Sequence, residues 1–311
     1  MTFSRRSRVP GRPNYDDWLL RRSFRSSAGR IAYDVLGEGP PVVLLHGTPS
    51  WSYLWRHVAG QLSTRFSVYL CDLLGYGGSE QKDGQDVSLA AQTRIIGELL
   101  DCWKIDEPCI AGHDFGGAIT LRLILLEGRR FSRVALCDAV AIAPWITPFS
   151  RHVQRHLDAF QTVPEHIHRQ MIAAHIRTAI TREMSDAELE PYLRPWLGPV
   201  GQAAYYRQVA QFDERYTDEI EPRYGEIDAP TLVLWGKDDG WLPLDVGRRL
   251  AAAIPAARFV TLPGAGHFVP EDQPGAAADA LASWFSSVDV GPTATAYKSL
   301  DASGANGSCG R

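Results

Sequence analysis

Short continuous apolar runs alternate with stretches of helical spacing along most of the chain. The runs VVLLH (42–46), FSVYLCDL (66–73), CIAGH (109–113) and VALCD (134–138) carry no alternating polar face. Such runs predict strands covered on both sides, as in a parallel sheet. Between them, LAAQTRIIGELLDCW and GGAITLRLILLEG repeat apolar residues three and four apart and predict helices. After Asp138 the alternation stops. From 143 to about 222 the chain is rich in Arg, His, Tyr and Trp, helical in pattern, and interrupted by Pro164, Pro191, Pro195 and Pro199. The alternation resumes with PTLVLWGKDD, LDVGRRLAAAI, ARFVTL and GAAADALASWFSS. One α/β core interrupted by a helical lid accounts for this better than two serial domains. The expected division is a flexible arm at 1–22, a core formed by 23–142 and 223–288, a lid at 143–222 and a disordered tail at 289–311. The tail is rich in Gly, Ala, Ser and Thr and has no periodicity.

Composition narrows the class. Hydrophobic content of 45%, charged content of 22% and a net charge of −4 describe an ordinary soluble globular chain. There is no basic surplus to suggest nucleic acid, and no run approaches the roughly 18 apolar residues of a membrane span. The Arg-rich start SRRSRVPGRP is followed by NYDDWLLRRSF, which lacks the apolar stretch of a twin-arginine signal; it reads as a solvated tail. The five cysteines (Cys71, Cys102, Cys109, Cys137, Cys309) form no C-x-x-C pair. Cys71, Cys109 and Cys137 lie inside apolar runs, as small buried residues of a reducing compartment do. The cytoplasm is the expected location. The oligomeric state is left open.

The chemistry concentrates in CIAGHDFGGAITLRL (109–123). The segment Gly112-His113-Asp114-Phe115-Gly116 follows the G-x-S-x-G pattern of a sharp strand-to-helix turn, with aspartate where esterases carry serine. The helix dipole and free N–H groups favour a carboxylate there. A carboxylate attacks an electrophilic sp3 carbon to give an alkyl ester, which water then opens at the ester carbonyl.

HGTP (46–49), DLLGYGGSE (72–80), WGKDDGWLP (235–243) and GAGHF (264–268) accompany this turn in order, each at a strand end. On these motifs the chain resembles the α/β-hydrolase superfamily over about 23–288, in the aspartate-nucleophile branch of haloalkane dehalogenases and epoxide hydrolases. The resemblance implies an α/β-hydrolase fold, a mostly parallel central sheet with an inserted helical lid. It makes Asp114 the nucleophile, His267 the base and Asp239 the preferred acid, with Asp138 as the alternative. The backbone N–H groups of Phe115 and Thr48 would form the oxyanion hole. His113 reads as strand-end scaffold and His46 as support for the oxyanion loop. The lid histidines (His152, His156, His166, His168, His175) have no metal-ligand pattern and are expected on helix faces. The glycine-rich GYGGS loop (75–79) lacks the strand–helix context of a nucleotide motif. No metal or cofactor is implied, and the partners are a small apolar organic substrate and water.

The leaving group separates the two branches. SYLWR (52–56) after HGTPSW resembles haloalkane dehalogenases, which hold the halide between two side-chain N–H donors. One follows the nucleophile, where this chain has Phe115; the other is a lid Trp or an Asn after HG, where it has Thr48. Trp145 or Trp196 would supply one donor at most. Epoxide hydrolases instead use lid tyrosines to hold or protonate the departing oxygen, and Tyr206 before Arg207 resembles that residue. Tyr205 is expected to point elsewhere, and Tyr192 or Tyr216 would serve as a second tyrosine. The preferred expectation is therefore epoxide hydrolysis to a diol. Haloalkane dehalogenation is the first alternative; another α/β-hydrolase reaction or a non-catalytic ligand-binding scaffold is the second.

Overall fold

The computed structural model describes residues 18–287. The expected tail, with Cys309, and residues 1–17 of the expected arm lie outside them. Eight strands form one sheet: β1 (Arg22–Arg25), β2 (Arg30–Leu36), β3 (Pro41–Leu45), β4 (Ser67–Cys71), β5 (Cys109–His113), β6 (Arg133–Cys137), β7 (Thr231–Gly236) and β8 (Arg258–Leu262), in the order β1-β2-β4-β3-β5-β6-β7-β8. β2 runs antiparallel to β1 and β4, and every other pairing is parallel.

The helices, in chain order, are α1 (Arg56–Leu62), α2 (Leu89–Trp103), α3 (Phe115–Glu127), α4 (Pro148–Arg155), α5 (Leu157–Gln161), α6 (Glu165–Arg177), α7 (Asp186–Leu193), α8 (Gly198–Ala210), α9 (Arg215–Asp218), α10 (Leu244–Ala253), α11 (Val269–Asp272) and α12 (Pro274–Ser286).

The apolar runs are explained by cover on both faces. Along β3, Val42 and Leu44 enter one buried cluster and Val43 and Leu45 the other. A strand sandwiched in this way has no polar face to alternate with. α2 starts where Ser88 accepts a hydrogen bond from the Ala91 amide, and it ends at Lys104 in a left-handed conformation. α4 to α9 all lie in the segment between β6 and β7.

A buried ion-pair cluster ties that segment to the core. Glu271, just beyond His267, pairs with Arg56 of α1 at 2.6 Å and with Arg182 of the insertion at 2.6 Å; the Tyr192 hydroxyl donates to it at 2.7 Å. Its carboxylate is paired on both oxygens, which offsets the cost of burying the charge. Two expectations change here. The arm is anchored at its end, because Trp18 Nε1 donates to Ser52 Oγ at 3.0 Å and β1 begins at Arg22. Tyr192, offered as a second tyrosine of the site, spends its hydroxyl on Glu271.

Candidate active site

The sheet brings the separated motifs to one edge. Gly47 and Thr48 follow β3, Asp114 follows β5, Asp138 follows β6, Asp239 follows β7 and His267 follows β8. All stand beyond the carboxyl ends of parallel strands, where open α/β sheets bind ligands.

Asp114 occupies the turn between β5 and α3 with φ +50° and ψ −115°, a region that non-glycine residues rarely enter. The surroundings hold it there. Its carbonyl accepts from Gly117, Ala118 and Val140, and its amide donates to Cys137. Gly116 is required by close approach, since a Cβ there would lie 2.4 Å from the Leu45 carbonyl oxygen.

The Asp114 carboxylate is divided between two partners. Oδ1 accepts from the Thr48 amide at 2.7 Å, while Oδ2 lies 3.3 Å from His267 Nε2. On its other side His267 Nδ1 meets Asp239 Oδ2 at 2.9 Å, and Asp239 Oδ1 accepts the amides of Trp241 and Leu242. Burial disfavours a charged imidazole, but Asp239 and then Asp114 outweigh it and hold His267 well above the usual histidine range. His267 thus sits between the side chains of Asp114 and Asp239. Phe115, whose backbone amide completes the expected oxyanion pair, opens α3.

The neighbouring histidines are neutral. Burial lowers His46 to about 4; its Nδ1–H donates to the Gly47 carbonyl, and Nε2 accepts from the Leu73 amide. His113 is lowered to about 4 by burial and then by the charge of His267, whose carbonyl its Nε2–H engages at 2.8 Å. Both match their expected scaffold positions. Asp138 makes no hydrogen bond to His267 among the described residues. Its Oδ1 accepts from the Gly236 amide at 2.7 Å, and burial, then the charge of Asp239, raises its carboxyl well above the usual range. Asp138 braces β7 through the Gly236 amide, and Asp239 is the residue that touches the imidazole.

Helices of the insertion close the cavity over Asp114. Trp145 and Trp196 line it as expected, but neither offers its N–H. Trp145 Nε1 donates to Thr217 Oγ1 at 2.9 Å, and Trp196 Nε1 to the Pro49 carbonyl at 2.8 Å. Phe115 has only ring faces to present and packs edge-on against Trp145 and Phe212.

The expected tyrosine also changes. His168 donates through Nε2 to the Trp196 carbonyl, so its Nδ1 accepts the Tyr206 hydroxyl at 3.0 Å, away from the cavity. Tyr205 lines the cavity instead, and no hydrogen bond engages its hydroxyl among the described residues. Tyr216 does not serve either, since its hydroxyl accepts from Arg215.

Several lining residues were not anticipated, and three of them bear on the chemistry. Trp241 stacks on the His267 ring at 4.9 Å, and its Nε1 donates to Thr178 Oγ1. His175, expected merely on a helix face, stacks on the outer side of Trp241 at 4.5 Å and is lowered to about 4 by burial and then by the His267 charge. Gln208 of α8 is the third. The WGKDDGWLP motif contained the signal for Trp241; nothing short of the helix rotation could identify the other two. Among the described residues no group of three or more His, Cys, Asp or Glu could hold a metal ion, and no helix is long and apolar enough to cross a membrane.

With this geometry established, comparison with known proteins gives a consistent result. Residues 40–274 match the alpha/beta hydrolase fold family. Haloalkane dehalogenase 2 of Mycobacterium tuberculosis is 30% identical over 275 residues, covering 84% of this chain and 93% of that protein. An alpha/beta hydrolase fold protein from Burkholderia ambifaria is 45% identical with a TM-score of 0.82, covering 84% of this chain and 97% of that one. The haloalkane dehalogenase DatA from Agrobacterium tumefaciens shares the fold at 21% identity, with a TM-score of 0.72 over 88% of this chain and 99% of its own. The chain belongs to the alpha/beta hydrolase fold family and is a hydrolase.

Proposed function

We propose that this hydrolase works through an alkyl ester on Asp114 and opens epoxides to diols in a cavity closed by a helical lid. The divided Asp114 carboxylate carries the reading: Oδ1 is engaged by the Thr48 amide, which leaves Oδ2 to form the bond to carbon. As the C–O bond of the epoxide breaks, its oxygen takes the Tyr205 proton. Burial and then Tyr206 raise the Tyr205 hydroxyl above the usual phenol range, so it enters the step protonated.

Esterification removes the charge of Asp114. His267 then loses one of the two anions holding its proton and passes it on, restoring Tyr205. The neutral imidazole, oriented by Asp239, takes a proton from water attacking the Asp114 ester carbonyl. The oxyanion forms on Oδ1, against the Thr48 and Phe115 amides. Collapse expels the second alcohol oxygen of the diol, which takes the proton from His267, and the Asp114 carboxyl then returns its remaining proton to His267 to regenerate the carboxylate. Asp138 takes no part in proton transfer.

Dehalogenation is the second reading, supported by the 30% identical Haloalkane dehalogenase 2. Against it stand the committed indole N–H groups of Trp145, Trp196 and Trp241 and the absence of a donor on the Phe115 side chain. Assaying a mixed panel of epoxides and haloalkanes, with diol and halide measured separately, should give diol without halide. Halide release with no diol from any epoxide would overturn the epoxide reading. The buried free thiols of Cys71, Cys109 and Cys137 fit a reducing compartment such as the cytoplasm.

A further inference from the structure

Three glutamines sit close together where the GYGGS loop meets α2 and α8, and they differ in one respect. Gln92 uses both ends of its amide: Oε1 accepts from the Leu74 amide and Nε2 donates to the Leu74 carbonyl. Gln211 does the same, accepting from the Val87 amide and donating to the Gln85 carbonyl. Gln208 is 2% exposed. Its Nε2 faces the Leu74 carbonyl at 3.4 Å, which fixes the amide orientation because a flipped amide would set two oxygens against each other. Its Oε1 is buried without a hydrogen-bond partner.

Buried acceptors are nearly always paired, and an orphan calls for an explanation. Here the side chain lines the cavity that also holds Asp114. The loop makes room for it: Gly75 has φ +84°, and a Cβ there would lie 2.3 Å from Gln208 Nε2. Tyr205, Gln208 and Val209 line the cavity at the spacing of one face of α8, and Phe212 joins them just past its end. Gln208 therefore stands on the same face of α8 as Tyr205, about one helical turn further along the backbone.

We propose that Gln208 Oε1 is a substrate-recognition acceptor, and that the substrate is an apolar molecule carrying an O–H or N–H donor, such as a hydroxyl or an amide, about one helical turn from its reacting oxygen. This rests on the cavity being the substrate site of the Asp114 reaction. It narrows the expected apolar substrate to one with a single polar handle, since a plain hydrocarbon would leave the acceptor unpaired.

The test uses two inert probes, so it does not depend on turnover. Benzyl alcohol and benzyl methyl ether share the phenyl ring and the oxygen acceptor, but the ether carries a methyl where the alcohol has its donor, so the change in their ratio between wild type and variants is the readout. By titration calorimetry, the full-length protein should bind the alcohol about tenfold more tightly than the ether. Gln208→Leu and the near-isosteric Gln208→Met should bring the ratio to about one, while Gln208→Glu, which keeps an acceptor, should preserve the preference. Thermal unfolding of each variant checks that the fold is retained. Equal binding by the wild type, no binding of either probe, or a ratio unchanged in the Leu and Met variants would overturn the proposal. None of these results bears on whether Asp114 forms an ester.

Discussion

Asp239→Asn is expected to lower turnover on the order of 10⁴-fold, and Asp138→Asn by less than about threefold. Asp239 Oδ2 is the atom that meets His267 Nδ1, so the amide would present the wrong hydrogen-bonding pattern and remove the counter-charge of the imidazolium. The loss should fall on ester hydrolysis, because attack by Asp114 needs no base. Burial and then the charge of Asp239 raise the Asp138 carboxyl well above the usual carboxylate range, which favours its uncharged form. An asparagine keeps the acceptor for the Gly236 amide and ends the cost of a buried ionisable group. Steady-state and single-turnover rates on any accepted substrate measure both variants. A crippled Asp138→Asn beside an active Asp239→Asn would reverse the assignment.

Tyr205→Phe should slow alkylation of Asp114 by an epoxide by about 10²–10⁴-fold, the range of a single general acid. Hydrolysis of an ester already formed should be nearly unchanged, because no epoxide oxygen departs in that step. Tyr206→Phe is the built-in control. Its hydroxyl is spent on His168, so its removal should cost about 1 kcal/mol of stability and change the alkylation rate by less than a few-fold. Rapid-mixing measurements of the two half-reactions separate the variants. A slow Tyr206→Phe with an unaffected Tyr205→Phe would return the role to the Tyr-Arg pattern.

The contrast between these neighbours shows what the sequence could carry. Parallel strands were legible because cover on both faces leaves an unbroken apolar run, as at Val42 to Leu45. The span read as helical from Leu89 to Trp103 is α2 itself. Asp114, Asp239 and His267 were legible because each follows a strand, and a parallel sheet carries all its strand ends to one edge. The N-terminal hairpin of β1 and β2 was not foreseen, since an exposed edge strand reading Arg-Ser-Phe-Arg has no apolar run. Nor was the choice between Tyr205 and Tyr206. Adjacent helix residues point about 100° apart, and only packing fixes which one faces the cavity. The indole N–H groups escaped for a related reason. Their acceptors, Thr217 for Trp145 and the Pro49 carbonyl for Trp196, are far away in sequence. His175 lies on α6 among buried Ile172, Ala173 and Ile176, so its cavity position depends on how that helix is set against Trp241.

Mass spectrometry of His267→Gln after exposure to an accepted substrate tests the central claim most directly. Without its base the variant should still alkylate Asp114 but fail to release the product. The intact protein should then gain one substrate mass, mapped to the peptide containing Asp114 and absent from Asp114→Ala/His267→Gln. An adduct on another residue, or full turnover by Asp114→Ala alone, would contradict the account.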